Sequence, residues 1–574
     1  MSATLSVRLA PVDAARVAEV EARARGDAWA QRLMDRDTSL WSTDPSARAE
    51  ISDRLGWLDA PDHFAREAPE LEAFGDGIRS AGFTTAVVMG MGGSSLAPDV
   101  LHRVFGTAEG YLDLRVLDST DPAAVAATVD DLDPLQTLWI VASKSGTTTE
   151  PRAFQADRWA TVERALHERG SDQGPGEFFI AITDPGASVE AIPHHDDLRE
   201  RFLNLSTVGG RYSALTYVGL VPASLIGLDL DPLLASAASM LGQCRDPDPD
   251  GNPGLKLGLA IGELARGGRN KLTFLPDAPI ASFGAWLEQL LAESTGKHGT
   301  GILPVDREPL LEAARYGTDR AFVRLALRGE RDRARDELAR ALGALGHPVI
   351  AIEIEDPIDL GGEFLRWEVA TAFAGAVLGI DAFDQPNVEE AKELTRKVLA
   401  EAGSGHASGT PAGAPEATGS ATDRLDVASL GADALAERLR PILRDARPPS
   451  YIAIQAFVAP SGPLDDAIDM LRRTLSATGC ATTAGYGPRF LHSTGQLHKG
   501  GPPTGIFLQL TSSHPVDRPI PGWPYTFGQL IDAQARGDRE AIAAHDRPIV
   551  QLDLGRDLEA GLRTVASAAA SALG

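Results

Sequence analysis

Four apolar runs in the first third of the chain each stop abruptly at a small or polar residue, and this rhythm limits the fold more than any other feature. TTAVVMG ends at Gly90, LRVLDST at Thr120, TLWIVAS at Ser143 and FFIAITD at Asp184. Between the last two lies AFQADRWATVERALHERG, with Phe154, Trp159, Val162 and Leu166 at helical spacing. Strand, amphipathic helix and strand in this order predict a parallel sheet with helices on both faces. Such sheets bind ligands at the carboxyl ends of their strands. The alternation returns with KLTFLPD (271–277) and PVIAIEIED (348–356), flanked by the helical stretches APIASFGAWLEQLLAES and GEFLRWEVATAFAGAVLG. Two successive doubly wound α/β units of similar size look like a duplication, though no residue-level repeat is visible.

The rest of the chain frames these units. Residues 1–65 are charged and alanine-rich and read as helices, ahead of α/β units at 66–225 and 226–402. Residues 403–423, GSGHASGTPAGAPEATGSATD, lack large apolar side chains and cannot offset their ordering entropy, so a flexible linker is expected there. A C-terminal α/β region at 424–574 follows, with strands near 451–458, 504–511 and 547–553. A chain of 574 residues exceeds one hydrophobic core, and an apolar fraction of 43% is enough to pack several. The net charge of −26 argues against general nucleic-acid affinity, which needs a positive face. A small anionic ligand remains possible, because a local field can oppose the global one. Only Cys244 and Cys480 occur, which excludes a disulfide framework or a cysteine-rich zinc site. MSATLSVRLAPVDAARV lacks the pattern of a secretory signal, and no apolar run reaches the roughly 20 residues of a membrane helix. A soluble, cytoplasmic protein is expected.

Six loops could carry chemistry. SKSGTTTEP, Ser143 to Pro151, offers Ser143, Ser145, Thr147, Thr148 and Thr149 around Lys144, then Glu150. A helix cap uses one hydroxyl, so this density predicts a bound anion, most simply a phosphate. In MGMGGSSLAPDVL, Gly90, Gly92 and Gly93 allow close backbone approach, and Ser94 and Ser95 stand at a helix start. Alone, such a turn is most often just a tight strand-to-helix connection. It is not a dinucleotide fingerprint, since Ser95 occupies the place of the third glycine. VGGRYSALT sets Arg211 after two glycines. QLLAESTGKHGTG places Gln289 and Glu293 on one helical face, with the glutamate at the helix end before a glycine break. Its neighbours Leu290, Leu291 and Ala292 predict partial burial, which would raise the carboxyl pKa and suit a base. DAFDQPNVEEAK puts Gln385 and Lys392 on one face of a helix starting near Pro386. GPRFLHSTGQLHKGG brings His492 and His498 into a glycine-rich loop with Gln496 and Lys499. PHHDD, which contains His194 and His195, has no further ligands at metal-site spacing, so neither a metal nor a cofactor is expected.

The Gly-Gly-Ser turn, SKSGTTTEP, GGRYS, ESTGK and FDQPNVEEAK stand in the order of the phosphoglucose isomerase family, which the chain resembles over roughly residues 85–395. The resemblance implies two tandem sugar-isomerase (SIS) domains of doubly wound parallel sheet. It also implies interconversion of glucose 6-phosphate and fructose 6-phosphate through a cis-enediol, without metal or redox cofactor. By the same resemblance, Gly93 and Ser94 line the sugar end, and Ser143, Lys144, Ser145, Thr147 and Thr148 hold the phosphate. Glu150 lies near the sugar, Gly210 and Arg211 face the enediolate, Gln289 contacts the phosphate end, and Glu293 is the base. Gln385 and Lys392 complete the site. The chain departs from the family at Asn387, where relatives carry glycine, and at Thr295, where many carry asparagine. The ring-opening histidine is also displaced. LHSTGQLHKGG resembles the family's Q-H-x-x-x-Q-L-x-H-Q-G with one residue missing, placing His492 on the catalytic histidine, with His498 next, after Lys392 in the chain. That order is similar to the isomerase half of fused transaldolase–phosphoglucose isomerases. A homodimer is implied. Two alternatives stay open: an isomerase that also takes mannose 6-phosphate, and a non-catalytic SIS regulator.

Overall fold

The structure, a computed structural model, describes residues 4–404 and 424–574. Of the segment expected to be a linker, residues 405–423 lie outside the described residues. The chain opens with strand β1 (Thr4–Arg8), where only helix was expected. TLSVR alternates between exposed and half-buried positions, as an edge strand requires, and the short run carries no helical periodicity. Helices Pro11–Gly26, Trp29–Met34, Pro45–Ser52 and Ala60–Ser80 follow.

The first sheet comprises β2 (Thr85–Met89), β3 (Asp113–Leu117), β4 (Thr137–Ala142), β5 (Phe179–Thr183) and β6 (Glu200–Leu203), all parallel, in the order β3-β2-β4-β5-β6. β2, β4 and β5 are buried at every position, as strands covered on both faces must be. The second sheet holds β7 (Lys271–Pro276), β8 (Leu303–Val305), β9 (Arg320–Leu327) and β10 (Val349–Ile354), parallel in the order β8-β7-β9-β10. β1 closes its outer edge antiparallel to β10, with Thr4 opposite Glu353. The third sheet contains β11 (Arg424–Asp426), β12 (Tyr451–Phe457), β13 (Ala481–Tyr486), β14 (Gly505–Thr511) and β15 (Ile549–Asp553), parallel in the order β13-β12-β14-β15-β11.

In each sheet the second wound strand lies outside the first, and the third and fourth follow on the other side. The duplication expected from the sequence is thus visible in topology, and the C-terminal region winds the same way. A winding of this kind reverses between its first and third strands, and its crevice opens at their carboxyl ends. In the first sheet those ends are Met89 and Ala142, directly before the Gly-Gly-Ser turn and SKSGTTTEP.

By packing, the chain forms two compact units. The first comprises residues 1–118, 128–307 and 320–384 and holds the first two sheets; the second comprises 119–127, 308–319 and 385–574 and holds the third. Among the described residues, no helix is long and apolar enough to cross a membrane.

Candidate functional site

The loop after β4 does not use its hydroxyls as helix caps. Helix Thr149–Arg169 begins after Thr148, whose side chain makes no capping bond. Instead Ser143 Oγ donates to Thr148 Oγ1 at 3.0 Å, and the Ser145 and Thr147 hydroxyls share a 2.8 Å bond. Ser145 and Thr147 are exposed, and Glu150 is buried in the first helical turn. Helix Leu96–Phe105, which follows the Gly-Gly-Ser turn, also lacks a side-chain cap. Two helix starts at the crevice thus have no bond from an N-cap side chain, and helix starts of this kind can hold an anion. Gly146 sits at φ +67°, and a Cβ there would stand 2.0 Å from the Ser188 carbonyl, so the loop needs glycine at its corner.

Lys144 does not point its charge into open solvent. Its ammonium donates to Asp184 Oδ2 (2.6 Å) and to the carbonyls of Ser206 and Val208 (both 2.8 Å), which uses all three of its protons. It therefore ties the hydroxyl loop to the segment that leads into Gly209, Gly210 and Arg211.

That segment meets the Gly-Gly-Ser turn backbone to backbone. A Cβ on Gly93 would lie 2.2 Å from the Gly210 carbonyl oxygen, so only glycine permits this approach. Both turns also pack on helix Phe283–Thr295. Two turns before Glu293, the Trp286 ring stacks on Phe283 and meets Phe364 edge-on, which anchors the helix. Glu293, nearly buried, stands opposite Arg211, with Oε1 3.3 Å from Nη1. Gln289 Nε2 donates to Oε2 at 3.0 Å, so each carboxylate oxygen has a fixed partner. Arg211 is held in turn by Ser294 Oγ (2.6 Å from Nε) and by the carbonyls of Ala382 (2.8 Å) and Asp384 (3.0 Å), both bonded to Nη2. Removing one member of a buried ion pair typically costs about 3–5 kcal/mol. The pair therefore resists loss of either member and fixes one carboxylate beside one cation.

Thus Gly93, Ser94, Gly210, Arg211, Gln289 and Glu293 come together in the first unit, and Lys144 links the hydroxyl loop to them. Glu150 also lies in the first unit, whereas Gln385, Lys392, His492 and His498 lie in the second. Gln385 is exposed just before helix Pro386–Ser404, and Lys392 is half-buried within that helix. His492 ends a short 3-10 turn (Arg489–His492) and is half-buried, while His498 lies in the short helix Gly495–Gly500. The stretch expected to be a loop is therefore mostly ordered. The Asn387 departure acquires a physical reason here. The Asn387 N–H donates to Gln496 Oε1 (2.9 Å) and Gln496 Nε2 donates to Asn387 Oδ1 (2.8 Å), a two-bond amide pair that glycine could not make. This pair joins the Lys392 helix to the histidine segment.

His498 is buried and accepts from Gln455 Nε2 at 3.3 Å. Burial, with the charges of Lys499 and Arg547 behind it, holds its pKa well below the usual histidine value. His194 stacks on Trp159 at 4.0 Å, a packing role. Sequence reasoning passed over Ser294 and Lys297, although both belong to ESTGK. The signal was their place in that motif, and their contacts with Arg211 and with the turn ending at Asp384 give it meaning.

A tandem doubly wound α/β chain with a hydroxyl-lined loop and a fixed carboxylate–guanidinium pair has the architecture expected of a tandem sugar-isomerase-domain protein. Within that class, the chain belongs to the phosphoglucose isomerase family, whose sequence profile it matches over residues 73–302. It is 30% identical over 398 residues to the glucose-6-phosphate isomerase of Rubrobacter xylanophilus, a match covering 60% of this chain and 89% of that protein. In fold it is similar to a hypothetical protein of Thermus thermophilus (TM-score 0.55, 23% identity, 69% of this chain and 100% of that one). It is also similar in fold to the glucose-6-phosphate isomerase of Chlamydia trachomatis (TM-score 0.51, 23% identity, 59% and 74%).

Proposed function

We infer that this chain interconverts glucose 6-phosphate and fructose 6-phosphate, with Glu293 moving one proton between C2 and C1. The observation that carries the assignment of the base is the Glu293 carboxylate fixed between Arg211 and Gln289 at a helix end. In the open-chain aldose, Glu293 takes the C2 proton and the C–H electrons form the C1=C2 bond. O1 takes up the negative charge and is then protonated, giving a cis-enediol. Return of the proton to C1, with loss of the O2 proton, yields the ketose. Arg211 supplies a preorganised cation for the enediolate.

The phosphate falls to Ser143, Ser145, Thr147 and Thr148 together with the uncapped N–H groups of helix Thr149–Arg169. Lys144 contributes by shaping this loop, and Gln289 by orienting Glu293. Gly93, Ser94, Gly210 and Glu150 would line the sugar. The ring-opening acid is assigned to His492, helped by Lys392, and Gln385 is assigned to substrate binding. His498, kept neutral by its surroundings, is a poorer acid and better suited to holding its segment in place. A cytoplasmic homodimer completes the proposal, and light scattering of the purified chain tests the dimer.

The deciding experiment is conversion of fructose 6-phosphate to glucose 6-phosphate by wild type and Glu293→Gln. Activity in the first and a loss of about a thousandfold in kcat in the second is expected. Comparable activity in both would remove Glu293 as the base.

A further inference from the structure

Lys297 lies just past the Glu293 helix and is almost wholly buried, an expensive place for a lysine unless its charge has a task. Its ammonium donates to the carbonyls of Asp381 and Asp384 and to Asp384 Oδ1, so no proton is left over. The Asp384 carbonyl also accepts from Arg211 Nη2, which donates a second bond to the Ala382 carbonyl. The turn 381–384 is therefore the surface against which the Arg211 guanidinium is aimed, and Lys297 is what holds that turn. We propose that Lys297 is a positioning residue for catalysis, clamping the Asp381–Asp384 turn so that Arg211 is directed at Glu293, a role that rests on the isomerase reading.

The charged groups facing Lys297 are Arg211 from the Gly210–Tyr212 turn and Asp381 and Asp384 from the clamped turn. Burial, reinforced by Arg211, draws the lysine down from 10.5 to about 8 against the pull of the two aspartates. As pH rises through 8 the clamp loses a donor and its charge, so turnover falls. Stability moves the other way. Between about 8 and 10.5 the unfolded chain holds this proton and the folded one does not, so raising pH favours the fold. A lysine with a purely structural role would change stability alone.

The test follows kcat, KM and Tm of wild type, Lys297→Met and Lys297→Arg from about pH 7 to about pH 10. The methionine variant should lose about a hundredfold in kcat with KM within about threefold, the scale of a misplaced catalytic group. The arginine variant keeps a cation that does not titrate here, so it should recover activity and move the alkaline fall up by about one pH unit or more. A folded methionine variant within about twofold of wild type overturns the proposal, as does an arginine variant with an unmoved alkaline limb. If the methionine variant does not fold, the arginine variant decides. Wild type inactive on fructose 6-phosphate would overturn the isomerase reading instead. The Tm profile would then bear on the buried ammonium alone: a rise above pH 8 is expected in wild type and not in Lys297→Arg, and equal profiles would overturn the clamp.

Discussion

After β4 the chain leaves the first sheet through Ser143–Thr148. After β14, at the same place in a sheet whose strands β12–β15 are wound the same way as β2–β5, it leaves through Thr511–His514. Both stretches are rich in hydroxyls, and both lead to a helix. In the first sheet the helices after β2 and β4 start without side-chain caps. In the third, Ser461 caps helix Gly462–Leu475, and Thr526 with Gln529 forms a capping box on helix Phe527–Ala544. His514 is gripped by carboxylates, with Nε2 3.2 Å from Asp532 and Nδ1 3.7 Å from Asp121. One crevice leaves both helix starts without a side-chain cap; the other caps both and sets carboxylates around His514. Winding alone decides neither outcome. Whether local side chains consume the donors does.

Beyond the loss expected for Glu293→Gln, the sharpest way to break this comparison is to add one methyl group to each first-strand loop. Gly93→Ala must push the Gly210 backbone away, and we expect about a hundredfold loss in kcat/KM. Gly462→Ala, in open space at a helix start, should leave activity unchanged and stabilise by about 0.4–1 kcal/mol, read from Tm. Equal effects at both positions would erase the distinction. Next in size, removing both exposed hydroxyls with Ser145→Ala and Thr147→Ala should raise KM about tenfold, roughly one charge-assisted bond's worth. The pair Ser512→Ala and Ser513→Ala should leave KM unchanged.

The smallest effect concerns His514. Burial lowers its pKa, but the bond to Asp532 and the charges of Asp532, Asp121 and Asp517 prevail and raise it. Its stabilising contribution is thus complete below the unfolded value near 6.5 and is lost as pH climbs through the higher folded value. Wild type should lose a margin of about 1 kcal/mol or less over His514→Asn across that rise, measured by urea unfolding. A margin that grows with pH would contradict the assigned environment.

The sequence made the loops legible because they follow strands whose apolar runs end abruptly. It could not show which donors the loops would spend. Lys144 was expected at the phosphate, and its partner Asp184 is forty residues on, beyond the reach of local pattern. Strand β9 escaped notice for a related reason. Its Arg320 and Arg324 break the apolar run, yet both are buried, and Arg324 is paired with Asp277 and Asp336. Glu293 and Arg211 were both singled out, but only the fold places them face to face. Asn387 looked like a flaw until Gln496 gave it a partner.

The antiparallel pairing of Thr4 with Glu353 sets a schedule for synthesis. At roughly 5–20 residues per second, β1 emerges from the ribosome on the order of tens of seconds before the strand it will cover. Through that interval it has no sheet to join, and β10 later arrives with an open edge of its own. A five-residue strand with alternating exposure is short enough to wait without recruiting a wrong neighbour. The second sheet is therefore finished by a segment synthesised well before its partner strand, and slowing translation should lengthen its vulnerable period without altering the finished enzyme.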